Sequence, residues 1–179
     1  MMQTLFLFGL AMVLCAVSSA IPQSVTPINN LAAYAGSWKF HTEHFATKFS
    51  KAREESTTIR NECWNSGEYF ACHQFVDSNS AALIVFTYSQ KDDAYKSYVI
   101  PTEGGNATTG KLLIKGNIWT FPWEDKDDTG KTYYFQVVNV WTGPNDIDYR
   151  MEFSEDKVHW TVASKGHETK EHEIEVKKP

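Results

Sequence analysis

The sequence predicts an all-β protein: a single antiparallel up-and-down β-barrel of about ten strands, preceded by a short helical turn. Three observations predict it. Short alternating strand patterns follow one another from Trp38 almost to the last residues, turn-forming clusters separate them at hairpin spacing, and no amphipathic helix of useful length interrupts them. Many short strands with turn signals point to a sandwich or a barrel, and uniform hairpins favour the barrel.

The elements follow in order. Residues Leu5 to Val17 are almost entirely apolar, and Ser18-Ser19-Ala20 supplies small residues where a signal peptidase cuts. Residues 1–20 therefore read as a signal peptide, although no Lys or Arg precedes the apolar run. That run is too short for a membrane span, which takes about 20 apolar residues. The expected location is secreted or periplasmic, with no stable membrane span in the mature protein. Residues 21–30 are a polar, proline-containing lead-in. Asn30 is placed to cap a helical turn across Leu31-Ala32-Ala33-Tyr34 that ends at Gly36.

Strand patterns lie near Trp38–Ala46, Arg53–Asn65, Tyr69–Val76, Ala82–Ser89, Ala94–Pro101, Lys111–Lys115, Ile118–Trp123, Thr132–Trp141, Asp146–Ser154 and Val158–Ser164. Pro122, between Phe121 and Trp123, marks an edge or bulge rather than a central strand. The barrel is expected to occupy 31–166. A charged tail, 167–179, continues the last strand and frays, or adds a weak edge strand at Glu173–Val176.

Two cysteines, Cys63 and Cys72, remain beyond the leader, and an even number in an exported chain favours a disulfide. Ser66-Gly67-Glu68-Tyr69 reads as a two-residue hairpin with Gly67 at the first central position of a type II′ turn. Counting outward from it pairs residue 63 with 72 at a non-hydrogen-bonded position, where Cα atoms lie about 4.5 Å apart, within reach of a bridge.

The net charge of −5 and the lack of a basic stripe argue against nucleic acid as a partner. Aromatic residues make up 14% of the chain, enough to pack the sheet faces or to line a ligand cavity. The clearest face assignment puts Ile147, Tyr149, Met151 and Phe153 inside and Asp148, Arg150 and Glu152 in solvent. Trp119, Phe121 and Trp123 share one face, whereas the Tyr133–Trp141 stretch is apolar on both.

Catalytic patterns are absent from the sequence: it holds neither a Gly-x-Ser-x-Gly elbow nor a phosphate-cradling glycine loop. His167 and His172 are five apart, so neither a helix nor a strand lets them share one ion, and His41 and His44 fail likewise on a strand. A metal such as zinc would need histidines brought together from different strands, with His41, His73 and His159 as candidates. The sequon Asn106-Ala107-Thr108 sits in a turn, which makes Asn106 a candidate glycosylation site in a host that glycosylates exported proteins.

Leu31-x-x-Tyr34-x-Gly36-x-Trp38 resembles the opening shared by the calycins: lipocalins, fatty-acid-binding proteins and nitrobindin-like barrels. Tyr95-Lys96-Ser97-Tyr98, Trp119-Thr120-Phe121 and Met151-Glu152-Phe153-Ser154-Glu155-Asp156 with Trp160 are similar to uncharacterised bacterial secreted families of lipocalin-like shape. The resemblance implies that Gly36 turns the chain into the first strand and that Trp38 plugs the closed end. Asp148-Tyr149-Arg150 only partly matches the later lipocalin motif. The haem-holding late histidine of nitrobindin-like barrels has only positional counterparts in His159 and His167.

Three functions fit this pattern. The first is a secreted barrel that binds a small apolar or amphipathic molecule, lined by Phe40, His73, Tyr98, Trp119, Trp141, Tyr149 and Met151. Arg150 would be a carboxylate anchor only if the face assignment were reversed. The second is a filled-core interaction module acting through its surface. The third is a haem- or metal-binding or enzymatic barrel, which needs an inward desolvated carboxylate or a histidine pair.

Overall fold

A computed structural model describes residues 27–178. The signal-peptide reading of 1–20, and positions 21–26 of the lead-in, lie outside the described residues. A 3-10 helix, Pro27–Tyr34, is followed by ten strands: β1 Gly36–His44, β2 Arg53–Asn65, β3 Tyr69–Val76, β4 Asn79–Ser89, β5 Ala94–Pro101, β6 Thr108–Lys115, β7 Ile118–Lys126, β8 Thr132–Gly143, β9 Asp146–Ser154 and β10 Thr161–His172. Every strand pairs antiparallel with its sequence neighbour, and β10 returns to pair with β1, closing the barrel.

Pairing fixes which side chains face inward, because partners in register share a face. Around one level of the barrel run Phe40, Glu168, Ile147 and Trp141; around the next run Thr42, Gly166, Tyr149, Asn139 and Trp119. The expected inward set on β9 is observed, and Asp148, Arg150 and Glu152 face out. Outside, Glu152 is buried, and Arg150 Nε (2.6 Å) and Gln136 Nε2 (2.7 Å) both donate to its carboxylate.

The first end of the barrel is filled. The 3-10 helix Pro27–Tyr34 includes four residues ahead of the expected helical turn at Leu31. Asn30 is thus inside the helix rather than its cap. The Tyr95 hydroxyl donates to the Pro27 carbonyl (2.6 Å), holding the helix against β5. Ile28, Leu31 and Ala35 pack with Cys63, Phe70, Cys72, Phe86, Tyr95, Leu112 and Trp119 in the larger core.

Gly36 has φ +139°, and a Cβ there would lie 2.9 Å from the His172 carbonyl oxygen, so the turn into β1 requires glycine. Trp38 is 3% exposed and its Nε1 donates to the Tyr34 carbonyl (3.2 Å), which places it at the filled end. The Cys63–Cys72 disulfide is present, with Cα atoms 4.1 Å apart, and Gly67 (φ +87°) occupies the hairpin turn.

The charged segment differs from the frayed tail expected of 167–179. β10 continues to His172, past the barrel limit expected at Gly166, with Glu168 and Lys170 facing inward. Lys177 then exchanges backbone hydrogen bonds with Cys63 and Asn65, and Val176 packs on the larger core. The sequence hides this strand because both its faces are polar.

At the opposite end a second core gathers Tyr133, Phe135, Phe153 and Ala163. The β1–β2 loop folds over it: the Phe49 ring lies 5.2, 5.1 and 4.9 Å from Tyr133, Phe135 and Phe153. Lys48 sits 3.5 Å above the Tyr133 ring and bonds Glu155. On the other side of this end, inward Arg53, Glu55 and Thr108 are exposed.

One seam of the wall is incomplete. β6 and β7 pair only through Leu113–Thr120, Ile114–Trp119 and Lys115–Ile118. The Trp141 amide donates to the Asn117 carbonyl, which sets the alternation along β7 and β8 and turns the Pro122 nitrogen toward β6. Proline has no N–H to give, so the ladder stops short of it. Pro122 therefore creates a local edge inside a closed barrel.

Candidate functional site

The site is the barrel interior above the filled end. Its floor is aromatic. Trp141 lies edge-on to Trp38 (5.5 Å between ring centroids) and 5.1 Å from Trp119, and Tyr34 stacks on Trp119 at 6.2 Å. These rings come from the helix and from β1, β7 and β8, where inward positions converge over the helix.

Polar groups are set into this floor. Among the described residues Asn139 Oδ1 and Trp141 Nε1 are buried with no hydrogen-bond partner, an acceptor and a donor two residues apart on one face of β8. Glu168 faces inward between Phe40 and Ile147 and is 6% exposed. Among the described residues no group donates a hydrogen bond to its carboxyl. Desolvation pushes that carboxyl up to about 8, so it is mostly protonated at neutral pH. The Tyr34 ring keeps some exposure but its hydroxyl is deep, and burial, with the Glu168 charge second, raises its pKa. Tyr149 donates to Thr42 Oγ1 (2.7 Å) and is raised by burial.

Several inward side chains are only half-buried: Phe40, Thr57, Ile59 and Val137, with Val99 against the larger core and Met151 against the second. A tightly filled barrel would bury them, and a ten-strand barrel is wider than the eight-strand kind whose side chains just fill it.

Of the lining residues expected from sequence, Phe40, Trp119, Trp141, Tyr149 and Met151 face inward together. His73 and Tyr98 do not. His73 pairs with Glu62 and Leu83 on the outer face, where its Nε2 lies 2.8 Å from Ser80 Oγ. Tyr98 pairs with Val85 and Thr109, also outside, and is 38% exposed. The reason is parity: Cys72 belongs to the larger core, so its neighbour His73 must turn out, and inward Ser97 likewise turns Tyr98 out. Sequence reasoning missed Glu168, Asn139 and Tyr34.

The candidate haem or zinc histidines are dispersed. His41 and His167 face out, His159 is bonded to Asp156 in the exposed β9–β10 loop, and inward His44 is paired with Glu55 at 3.3 Å. Among the described residues no group of three or more His, Cys, Asp or Glu side chains is placed to hold a metal ion. Asn106 is exposed in the β5–β6 turn. No helix among the described residues is long and apolar enough to cross a membrane. Compared with known protein families and with curated proteins, the chain matches none.

Proposed function

We propose that this is an exported barrel that binds a small apolar or amphipathic molecule in its interior. The observation that carries the reading is the set of half-buried inward side chains, underlain by Asn139 Oδ1 and Trp141 Nε1, which are unpartnered among the described residues. An apolar body would rest against Phe40, Val137 and Met151, and a neutral polar end would accept from Trp141 and donate to Asn139. Export is supported by the leader pattern and by the disulfide.

Native mass spectrometry of protein from its natural compartment, set against the denatured mass, tests this directly. A reproducible excess mass that disappears on denaturation is expected. A companion test is Met151→Trp. A hollow interior accepts the larger ring with little change in stability, whereas a filled one is destabilised by about 1–3 kcal/mol or more. Absence of excess mass together with a destabilised Met151→Trp would overturn the reading.

One observation favours a second function. Glu168 is the inward desolvated carboxyl that an acid catalyst requires, and at neutral pH it holds a proton to give. Turnover of a bound molecule that Glu168→Gln abolishes without loss of binding would establish that reading over simple carriage.

A further inference from the structure

The seam between β6 and β7 is more than an interruption of the ladder. A cleft of about 830 Å³ lies over it, within the range of small-molecule sites. Its lining mixes outward residues with inward ones. Lys96, Lys111, Glu124 and Tyr134 belong to the outer face, whereas Gly110, Trp123 and Phe135 belong to the inner face. Outward and inward residues thus border one cleft at the seam. Trp123 shows the same thing: it is inward by register yet 41% exposed, stacked on Phe135 at 5.3 Å. Gly110, across β5–β6 from Ser97, adds no side chain to close the gap.

The outer rim is positively charged on a chain of net charge −5. Lys96 and Lys111 are directly opposite each other in the β5–β6 register, a like-charge pair that is destabilising by itself. Among the described residues neither has an ion-pair partner. Lys157, from the β9–β10 loop, reaches the same cleft and rests 4.1 Å above the Tyr134 ring. An anion between these ammonium groups would relieve their repulsion, and the exposed face of Trp123 offers an apolar surface beside it.

We propose that this seam is a binding subsite for an anionic amphiphile: Lys96, Lys111 and Lys157 hold the anionic group at the rim, and its apolar body passes Trp123 and Phe135 into the barrel. The inference rests on the interior-binding reading and adds the charge of the ligand and the side on which its head group sits.

The test uses two fluorescent probes of one ring framework, anilinonaphthalene sulfonate and the uncharged phenylnaphthylamine, titrated into the mature protein. Lys96→Gln with Lys111→Gln removes two surface charges and no packing. This variant is expected to weaken the sulfonate about tenfold and to leave the uncharged probe within about twofold. Added salt should weaken only the sulfonate. Met151→Trp, filling the interior, is expected to weaken both probes.

If the lysine variant binds the sulfonate as wild type does while Met151→Trp weakens both, the rim is not the anion site and only interior binding stands. If the lysine variant weakens the sulfonate but Met151→Trp alters neither probe, the apolar body is not inside the barrel, and the through-wall proposal and the interior reading both fail. Failure of wild type to bind either probe also overturns both.

Discussion

Replacing Glu168 by Gln isolates the energetic effect of a carboxyl held in the barrel interior. In the folded protein desolvation moves this group from its ordinary 4.5 to about 8. The unfolded chain therefore releases the proton near pH 4.5 while the folded chain keeps it, so unfolding sheds a proton between those limits and stability falls as pH rises. Each pH unit is worth about 1.4 kcal/mol, giving a loss of roughly 3 kcal/mol by pH 7 and about 5 kcal/mol above pH 8. Against total stabilities of about 5–15 kcal/mol that is a large fraction. Glutamine keeps the shape and stays neutral at every pH. Urea unfolding of the two proteins from pH 4 to pH 9 should give curves that meet at the acid end. Towards alkaline pH they should separate, Glu168→Gln being the more stable by about 3 kcal/mol at neutrality. Parallel curves across the whole range would mean that the carboxyl is solvated, and would remove the reasoning built on its burial.

Three further substitutions probe the frame. Cys63→Ser opens a loop spanning a sequence separation of 9 and should cost about 2–3 kcal/mol, lowering the melting temperature without abolishing folding. Full alkylation of both thiols in the native protein would reject the bridge. Trp38→Ala deletes a ring that is 3% exposed at the filled end and should cost about 3–5 kcal/mol by chemical denaturation; a change below about 0.5 kcal/mol would mean the ring is no plug. Gly166→Ala would drive a methyl group into the His41 carbonyl and to 2.6 Å from the Tyr149 ring. It should destabilise by about 1–3 kcal/mol, with a shifted Tyr149 environment in near-ultraviolet circular dichroism, and an unperturbed spectrum would contradict the packing.

What the sequence discloses and what it withholds follow one physical line. Alternation is legible where the two faces differ in polarity, as on β9, where Ile147, Tyr149, Met151 and Phe153 separate cleanly from Asp148, Arg150 and Glu152. Turn chemistry is legible because glycine is needed at a positive φ, and Gly67 fixed the count that pairs Cys63 with Cys72. Where faces do not differ, the pattern is silent. β3 carries Phe70 and Cys72 on one side and Ala71, His73 and Phe75 on the other. Only the packing of Cys72 into the larger core settles the parity that turns His73 outward. On β10 the run from His167 to His172 is polar on both faces, so nothing in it announces that Glu168 and Lys170 point inward. Pro122 signalled an edge, but only the register shows that the edge is a gap in a closed wall.

Closure of the barrel by β1 and β10 has a consequence for how the chain is made. Nine of the ten strand pairings join consecutive strands, so each hairpin can form as soon as its second strand exists. The remaining pairing joins the first strand to the last. Until β10 is available, β1 and β9 each present an open row of backbone donors and acceptors, the kind of surface that recruits strands from other chains. Synthesis thus carries an interval of vulnerability that only the arrival of the polar segment Thr161–His172 ends. A run dense in Lys, Glu and His is well suited to that place, because its charges oppose intermolecular pairing while it waits to complete the ring.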